Sequence, residues 1–175
     1  WSGDRFILHY TSPNLLDWTF DARLDLSSSR VIDPCVYRFP DGVWRMWYKD
    51  EADDSHIHLA ESADLYTWKN LGSAEASRGQ EAPNVFHMGG YYWMLTDSGG
   101  LNLYRSKEAT VWEHQGPFMR EPSTRPDDNY VAQHPDIVVL ENAVYIVYFV
   151  HPFGKKHPEP DKHRSVIQAA QLVSK

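Results

Sequence analysis

A single cysteine, Cys35, in 175 residues excludes an internal disulfide and a thiolate zinc site. Cations are scarce as well: 17 Lys and Arg against 24 Asp and Glu leave a net charge of -7 and a pI near 5.7, and no basic run offers a local exception. Such a chain repels a phosphate backbone, so nucleic acid is not an expected partner. No window approaches the roughly 20 apolar residues that a bilayer-spanning helix needs, and no membrane partner is expected either. The opening Trp1-Ser2-Gly3-Asp4 has neither the basic nor the apolar stretch of a signal peptide, which leaves the compartment open. Long helical periodicity is missing too.

What is there in excess is aromatic: 7 Trp, 10 Tyr and 7 Phe, with 42% hydrophobic and 23% charged residues overall. That balance describes a folded chain of a size suited to one domain. Short apolar runs, Phe6 to Tyr10, Val43 to Tyr48, Tyr91 to Leu95 and Ile137 to Leu140, alternate with turn words such as Pro40-Asp41-Gly42, Met88-Gly89-Gly90 and Glu141-Asn142. Strands joined by tight turns follow.

The strands repeat. Ser12, Ser62 and Ser106 each precede a tryptophan by six residues, giving Trp18, Trp68 and Trp112, 50 and 44 residues apart. A second word alternates with the first: IDPCVYRFPDGVWRMWY from Ile32, EAPNVFHMGGYYWML from Glu81 and HPDIVVLENAVYIVYF from His134, whose prolines Pro34, Pro83 and Pro135 stand 49 and 52 residues apart. That is the period of a four-stranded propeller blade. The chain is therefore read as one all-β propeller domain or fragment: a half blade (5–26), two blades (31–72 and 80–118) and a last blade (132–173) without its outermost strand. The loops 120–129 and 151–163, rich in Pro with Asp, Arg, His or Lys, carry no domain linker. An arc of three to four blades leaves strand edges open, and homo-oligomer formation through them is an expectation.

First strands of blades line a propeller's channel, so the residues that open them are the candidate chemistry. Asp33 precedes Pro34, Glu81 stands two before Pro83, and His134 precedes Pro135. Three titratable groups converging in one hollow could do acid/base work, and paired carboxylates are the usual equipment for breaking a glycosidic bond.

The words IDPCV with DGVWRMWYKD, EAPNVF with GGYYWML, AESADLYTW and HPDIVV, in that order, resemble the five-bladed propeller glycosidases of glycoside hydrolase family 43 and the related family 32. The resemblance spans most of the chain. It implies hydrolysis of arabinose-, xylose- or related linkages, with Glu81 as general acid, Asp33 as the residue that holds and tunes it, and His134 near a channel cation or water. No cofactor is required, although a calcium ion near His134 is compatible with it. The family's base, an aspartate opening the first blade, has no counterpart here; Asp4 precedes a third-strand word and is a poor substitute. Glu81 also lies in EAP where EGP is commoner. The implied enzyme is an inverting one if the base is supplied, and the alternative is a non-catalytic glycan-binding or assembly module.

Other residues carry two readings. Trp18, Trp68 and Trp112 are expected to pack between sheets, as are Trp44, Trp47, Tyr91, Tyr92 and Trp93. Sugar platforms are sought among loop aromatics, Tyr130 and Phe153. Arg164 could meet a substrate hydroxyl or carboxylate, or cap a surface strand. The acidic group Asp50, Glu51, Asp53 and Asp54 is expected in a solvated loop rather than at a calcium site, since its spacing matches no EF-hand.

Overall fold

The computed structural model describes residues 5–74, 78–154, 158–159, 162 and 164–173. Asp4 and residues 155–157, 160–161 and 163 of the second expected loop lie outside the described residues. Among the described residues thirteen strands follow one another: β1 (Leu8–Thr11), β2 (Thr19–Arg23), β3 (Val31–Arg38), β4 (Trp44–Asp50), β5 (His56–Ser62), β6 (Lys69–Ser73), β7 (Glu81–Met88), β8 (Tyr91–Asp97), β9 (Leu101–Ser106), β10 (Glu113–Pro117), β11 (Gln133–Val139), β12 (Val144–Val150) and β13 (Val166–Leu172). They form four antiparallel meanders, β1-β2, β3-β4-β5-β6, β7-β8-β9-β10 and β11-β12-β13. The all-β expectation holds.

The turn words explain the meanders. Val43 N–H donates to Asp41 Oδ1 at 2.9 Å and Gly42 adopts φ +86°, closing the β3–β4 hairpin. Gly89 and Gly90 both have positive φ, as a tight two-residue hairpin between β7 and β8 demands.

The Ser-x5-Trp word has its own local chemistry. Ser62 Oγ accepts the N–H groups of Asp64 and Leu65, Asp64 Oδ1 accepts those of Tyr66 and Thr67, and Trp68 Nε1 donates to Leu65 O at 2.9 Å. Ser12, Asn14 and Trp18 repeat the pattern, and Ser106 repeats its first half. Leu15, Leu65 and Ala109, each three residues after the serine, share positive φ of 63°, 70° and 58°. The recurring spacing is a side-chain-capped turn that delivers the chain into a fourth strand.

Those backbone N–H groups of Thr67 and Tyr66, with Ser62, hold the Asp64 carboxyl down at about 2 from an ordinary 3.8. A depressed carboxyl contributes stability that is fully present above pH ~4 and lost as pH falls through about 2. Asp64→Asn is expected to flatten this acid limb, since Asn14 shows that asparagine caps the equivalent turn. Urea midpoints at stepped pH check it: an acid limb of unchanged steepness in the variant would assign the loss to other groups.

Two compact units divide the chain, Trp1–Glu81 and Ala82–Lys175. In the first, Ile7, Leu24 and Leu26 pack against Val31, Met46, Tyr48, Ala60 and Trp68, joining the first two sheets. In the second, Phe86, Leu95 and Leu101 pack against Ala132, Ile146, Tyr148 and Val150, joining the last two. Trp47 is fully buried, and Trp44 and Trp93 pack against these cores, as expected of second strands.

One expectation fails and another holds only in part. Trp18 is 56% exposed, along with Leu15, Leu16 and Phe20, and lies outside the first core, which β2 meets through Ala22. The acidic turn after β4 is solvated only in its second half: Asp53 and Asp54 are exposed, although Asp53 also pairs with His58 at 2.8 Å, whereas Asp50 is buried and accepts from Ser28 Oγ and Ala52 N–H, and Glu51 pairs with Arg5 at 2.7 Å. Asp54 remains at the surface beside Arg78.

Candidate active site

The first strands of the last three sheets share an unusual backbone. Asp33, Ala82 and His134, each immediately before a proline, have φ of 56°, 47° and 44°. A residue before proline ordinarily stays extended, and positive φ costs a non-glycine residue about 1–2 kcal/mol. The cost is spent on bulges: the β3–β4 register shifts between Ile32 and Cys35, and the β11–β12 register between Gln133 and Asp136. A bulge re-aims the side chain at that point, and strain of this kind collects at functional sites.

The pre-proline slot of β7 holds Ala82, so Glu81 sits one step earlier, level with Ile32 and Gln133. Glycine would take that φ without strain, which gives the commoner EGP word its physical reason. Ala82→Gly is expected to raise unfolding stability by about 0.5–1 kcal/mol, the relieved strain minus glycine's extra chain entropy. Urea unfolding with an unchanged m-value measures it; a destabilised variant would contradict the strain argument.

Within the first unit the structure brings Asp33 and Glu81 together, with a carboxylate oxygen of each within 4.8 Å of the other. Both side chains are half-buried. Lys49, on β4, donates to Glu81 Oε2 at 2.9 Å and lies 3.7 Å from Glu51, which also pairs with Arg5 and Arg30. Glu51 and Glu81 thus share Lys49, while Arg5 and Arg30 also close on Glu51. Lys49 was not anticipated as a site residue. The signal for it was the strand period, since it faces Ile32 across the β3–β4 pair, one residue from Asp33.

In the second unit His134 opens β11. Its N–H donates to Asp97 Oδ2 at 3.4 Å, and its ring lies 5.3 Å from that of Phe149. Asp97 is fully buried at the end of β8 and also accepts from Gly100 N–H at 2.8 Å. Tyr130 is exposed on the loop between β10 and β11. Arg164 lies with its guanidinium 5.4 Å from the ring centre of Phe153, a cation–π contact.

The fold has known counterparts. An exo-1,5-α-L-arabinanase from a bovine ruminal metagenomic library superposes with a TM-score of 0.69 at 14% identity, over 94% of this chain and 63% of that one. A native arabinanase from Bacillus subtilis gives 0.68 at 15% identity, over 98% and 65%. A family 32 β-fructofuranosidase from Bombyx mori gives 0.67 at 13% identity, over 92% and 39%. No protein-family model and no curated protein matches the chain. At these identities the likeness is one of fold: the four meanders are part of a β-propeller of the kind seen in family 43 and family 32 glycosidases. The chain spans less than two thirds of the length of these neighbours.

Proposed function

We propose that this chain is part of a glycoside hydrolase-like propeller acting on arabinose-, xylose- or related glycosidic linkages, with Glu81 as the acid and Asp33 as its positioning partner. The observation that carries the reading is the close approach of the Asp33 and Glu81 carboxylates on strained strand starts, with Lys49 against Glu81. Their oxygens lie closer than the roughly 6.5–9.5 Å that separates the acid and base of an inverting pair. Asp33 therefore suits a residue acting on Glu81, not the base across the sugar ring. In this reading Glu81 delivers its proton to the departing oxygen while a further carboxylate activates water. The arabinanases among the fold neighbours support arabinose-linked glycans as the first substrates to try.

His134 enters through its position: it opens β11 as Asp33 and Glu81 open β3 and β7, and we assign it to substrate binding, with Tyr130 and Arg164 as outer contacts. Calcium near His134 belongs to the same proposal. That ion prefers oxygen ligands and His134 offers ring nitrogen, so water would stand between them.

The second reading is a non-catalytic glycan-binding or assembly module, in which Glu81, held by Lys49 at 2.9 Å, accepts from sugar hydroxyls without turnover. One experiment separates the two. Turnover of aryl arabinosides, xylosides, galactosides or fructosides supports the hydrolase, while calorimetric binding of the matching oligosaccharides without turnover supports the module. Neither turnover nor binding with any of them overturns both.

A further inference from the structure

Lys49 stands between two carboxylates and serves them unequally. Its Nζ donates to Glu81 Oε2 at 2.9 Å, whereas Glu51 Oε1 lies 3.7 Å away, inside ion-pair range and outside hydrogen-bond range. Burial alone would choose the other way. The Glu51 side chain is 14% exposed and that of Glu81 31% exposed, so the carboxylate with less water around it is the one held at the longer distance.

The second oxygen of Glu51 supplies the reason. Arg5 Nε lies 2.7 Å from Glu51 Oε2, and Arg30 Nη2 reaches the same atom at 3.4 Å. Backbone bonds fix all three residues in place: Glu51 N–H donates to Arg30 O at 2.8 Å, and Val31 N–H to Arg5 O at 3.0 Å. Just before Glu51, the buried Asp50 ties the turn down through Ser28 Oγ and Ala52 N–H. Glu51 therefore cannot turn both oxygens toward Lys49 without giving up its contact with Arg5. A lysine side chain has many rotamers and a compact charge without a fixed fork, so the charges around it decide where its ammonium rests.

We propose that Glu51 is a positioning residue for Glu81, acting through Lys49, and that Arg5 and Arg30 set its strength. Clamped by the two arginines, Glu51 steers the ammonium without capturing it, and Lys49 gives its hydrogen bond to Glu81. Released from them, Glu51 draws Lys49 away from Glu81. The catalytic consequence rests on Glu81 as the acid of the proposed hydrolase; the choice of partner by Lys49 does not.

Nuclear magnetic resonance of the whole chain, labelled with 13C and 15N, reads that choice as the through-hydrogen-bond coupling from Lys49 Nζ to a glutamate carboxyl carbon. The parent is expected to couple to Glu81. Arg5→Gln with Arg30→Gln should move the coupling to Glu51, and adding Glu51→Gln should return it to Glu81, since the arginines act only through Glu51. Arg5→Gln alone, which loses the 2.7 Å contact, should weaken the Glu81 coupling and serves where the pair of substitutions prevents folding. On an arabino-oligosaccharide the pair should lower kcat/KM by about two- to fivefold, the scale of a partly exposed ion pair, and the triple variant should recover it. The proposal is overturned by a parent coupling to Glu51 or to neither carboxylate, by a coupling that stays at full strength on Glu81 once the arginines are replaced, or by a triple variant that does not restore it. The expected couplings without turnover of any glycoside would count against the hydrolase alone; Glu81-dependent turnover with couplings that do not move would count against this proposal alone.

Discussion

Trp68→Ala is expected to cost about 3–5 kcal/mol of unfolding free energy, while Trp18→Ala stays within about 1 kcal/mol. Both tryptophans end the same serine-capped turn, and both indoles donate to the carbonyl three residues back, at 2.9 and 3.2 Å. The difference is packing. Trp68 is 8% exposed and touches a core drawn from two sheets, so its removal leaves a cavity that Met46, Ala60 and Leu24 are too firmly placed to fill. Trp18 at 56% exposure has little contact to lose. Urea unfolding of the two variants side by side is the measurement. Equal losses would mean that the turn hydrogen bond, not the buried ring, is what stabilises the motif. Trp68→Phe, which keeps most of the apolar ring and drops the N–H, should recover much of the loss.

That pair of tryptophans also marks how far sequence reasoning reaches. Spacing alone was enough to find the recurring word, because Ser-x5-Trp is a local arrangement whose hydrogen bonds all close within six residues. The alternation of β3 to β13 was legible for the same reason: each strand and hairpin carries its own period and its own turn residues. Whether a given tryptophan is covered depends on a neighbouring sheet, and no spacing within the motif reports that. The first half of the acidic turn after β4 was misread on the same ground. Asp50 is buried beside Ser28, 22 residues away, and His58 reaches Asp53 only once the β4–β5 hairpin is formed. At the site, Asp33, Glu81 and His134 could be named from their place before the recurring prolines of the repeat. The positive φ at Asp33, Ala82 and His134 could not, since proline chemistry by itself argues for an extended residue there. Lys49 escaped notice because its bond to Glu81 spans 32 residues and two sheets' worth of chain.

Glu81→Gln carries the largest expected effect, in a form that depends on the leaving group. An alkoxide leaving from an arabino-oligosaccharide is too basic to depart without a proton. If Glu81 is the proposed acid, its loss is therefore expected to lower kcat/KM by about 10²–10⁴-fold on such a substrate. A dinitrophenolate needs no proton to leave, so the matching dinitrophenyl glycoside should be hydrolysed almost as fast by the variant. Asp33→Asn should fall in the same direction on the oligosaccharide, because in the proposed reading it acts on Glu81 and not on the sugar. Lys49→Met should do so too, having removed the 2.9 Å contact that fixes the Glu81 side chain. Parallel kinetics on the two substrates decide the matter. An equal loss on both would make Glu81 a binding group, and no loss on either would remove the carboxylate pair from the chemistry altogether. Only a proton donor produces the split, since a residue that merely shapes the pocket has no means of telling a good leaving group from a poor one.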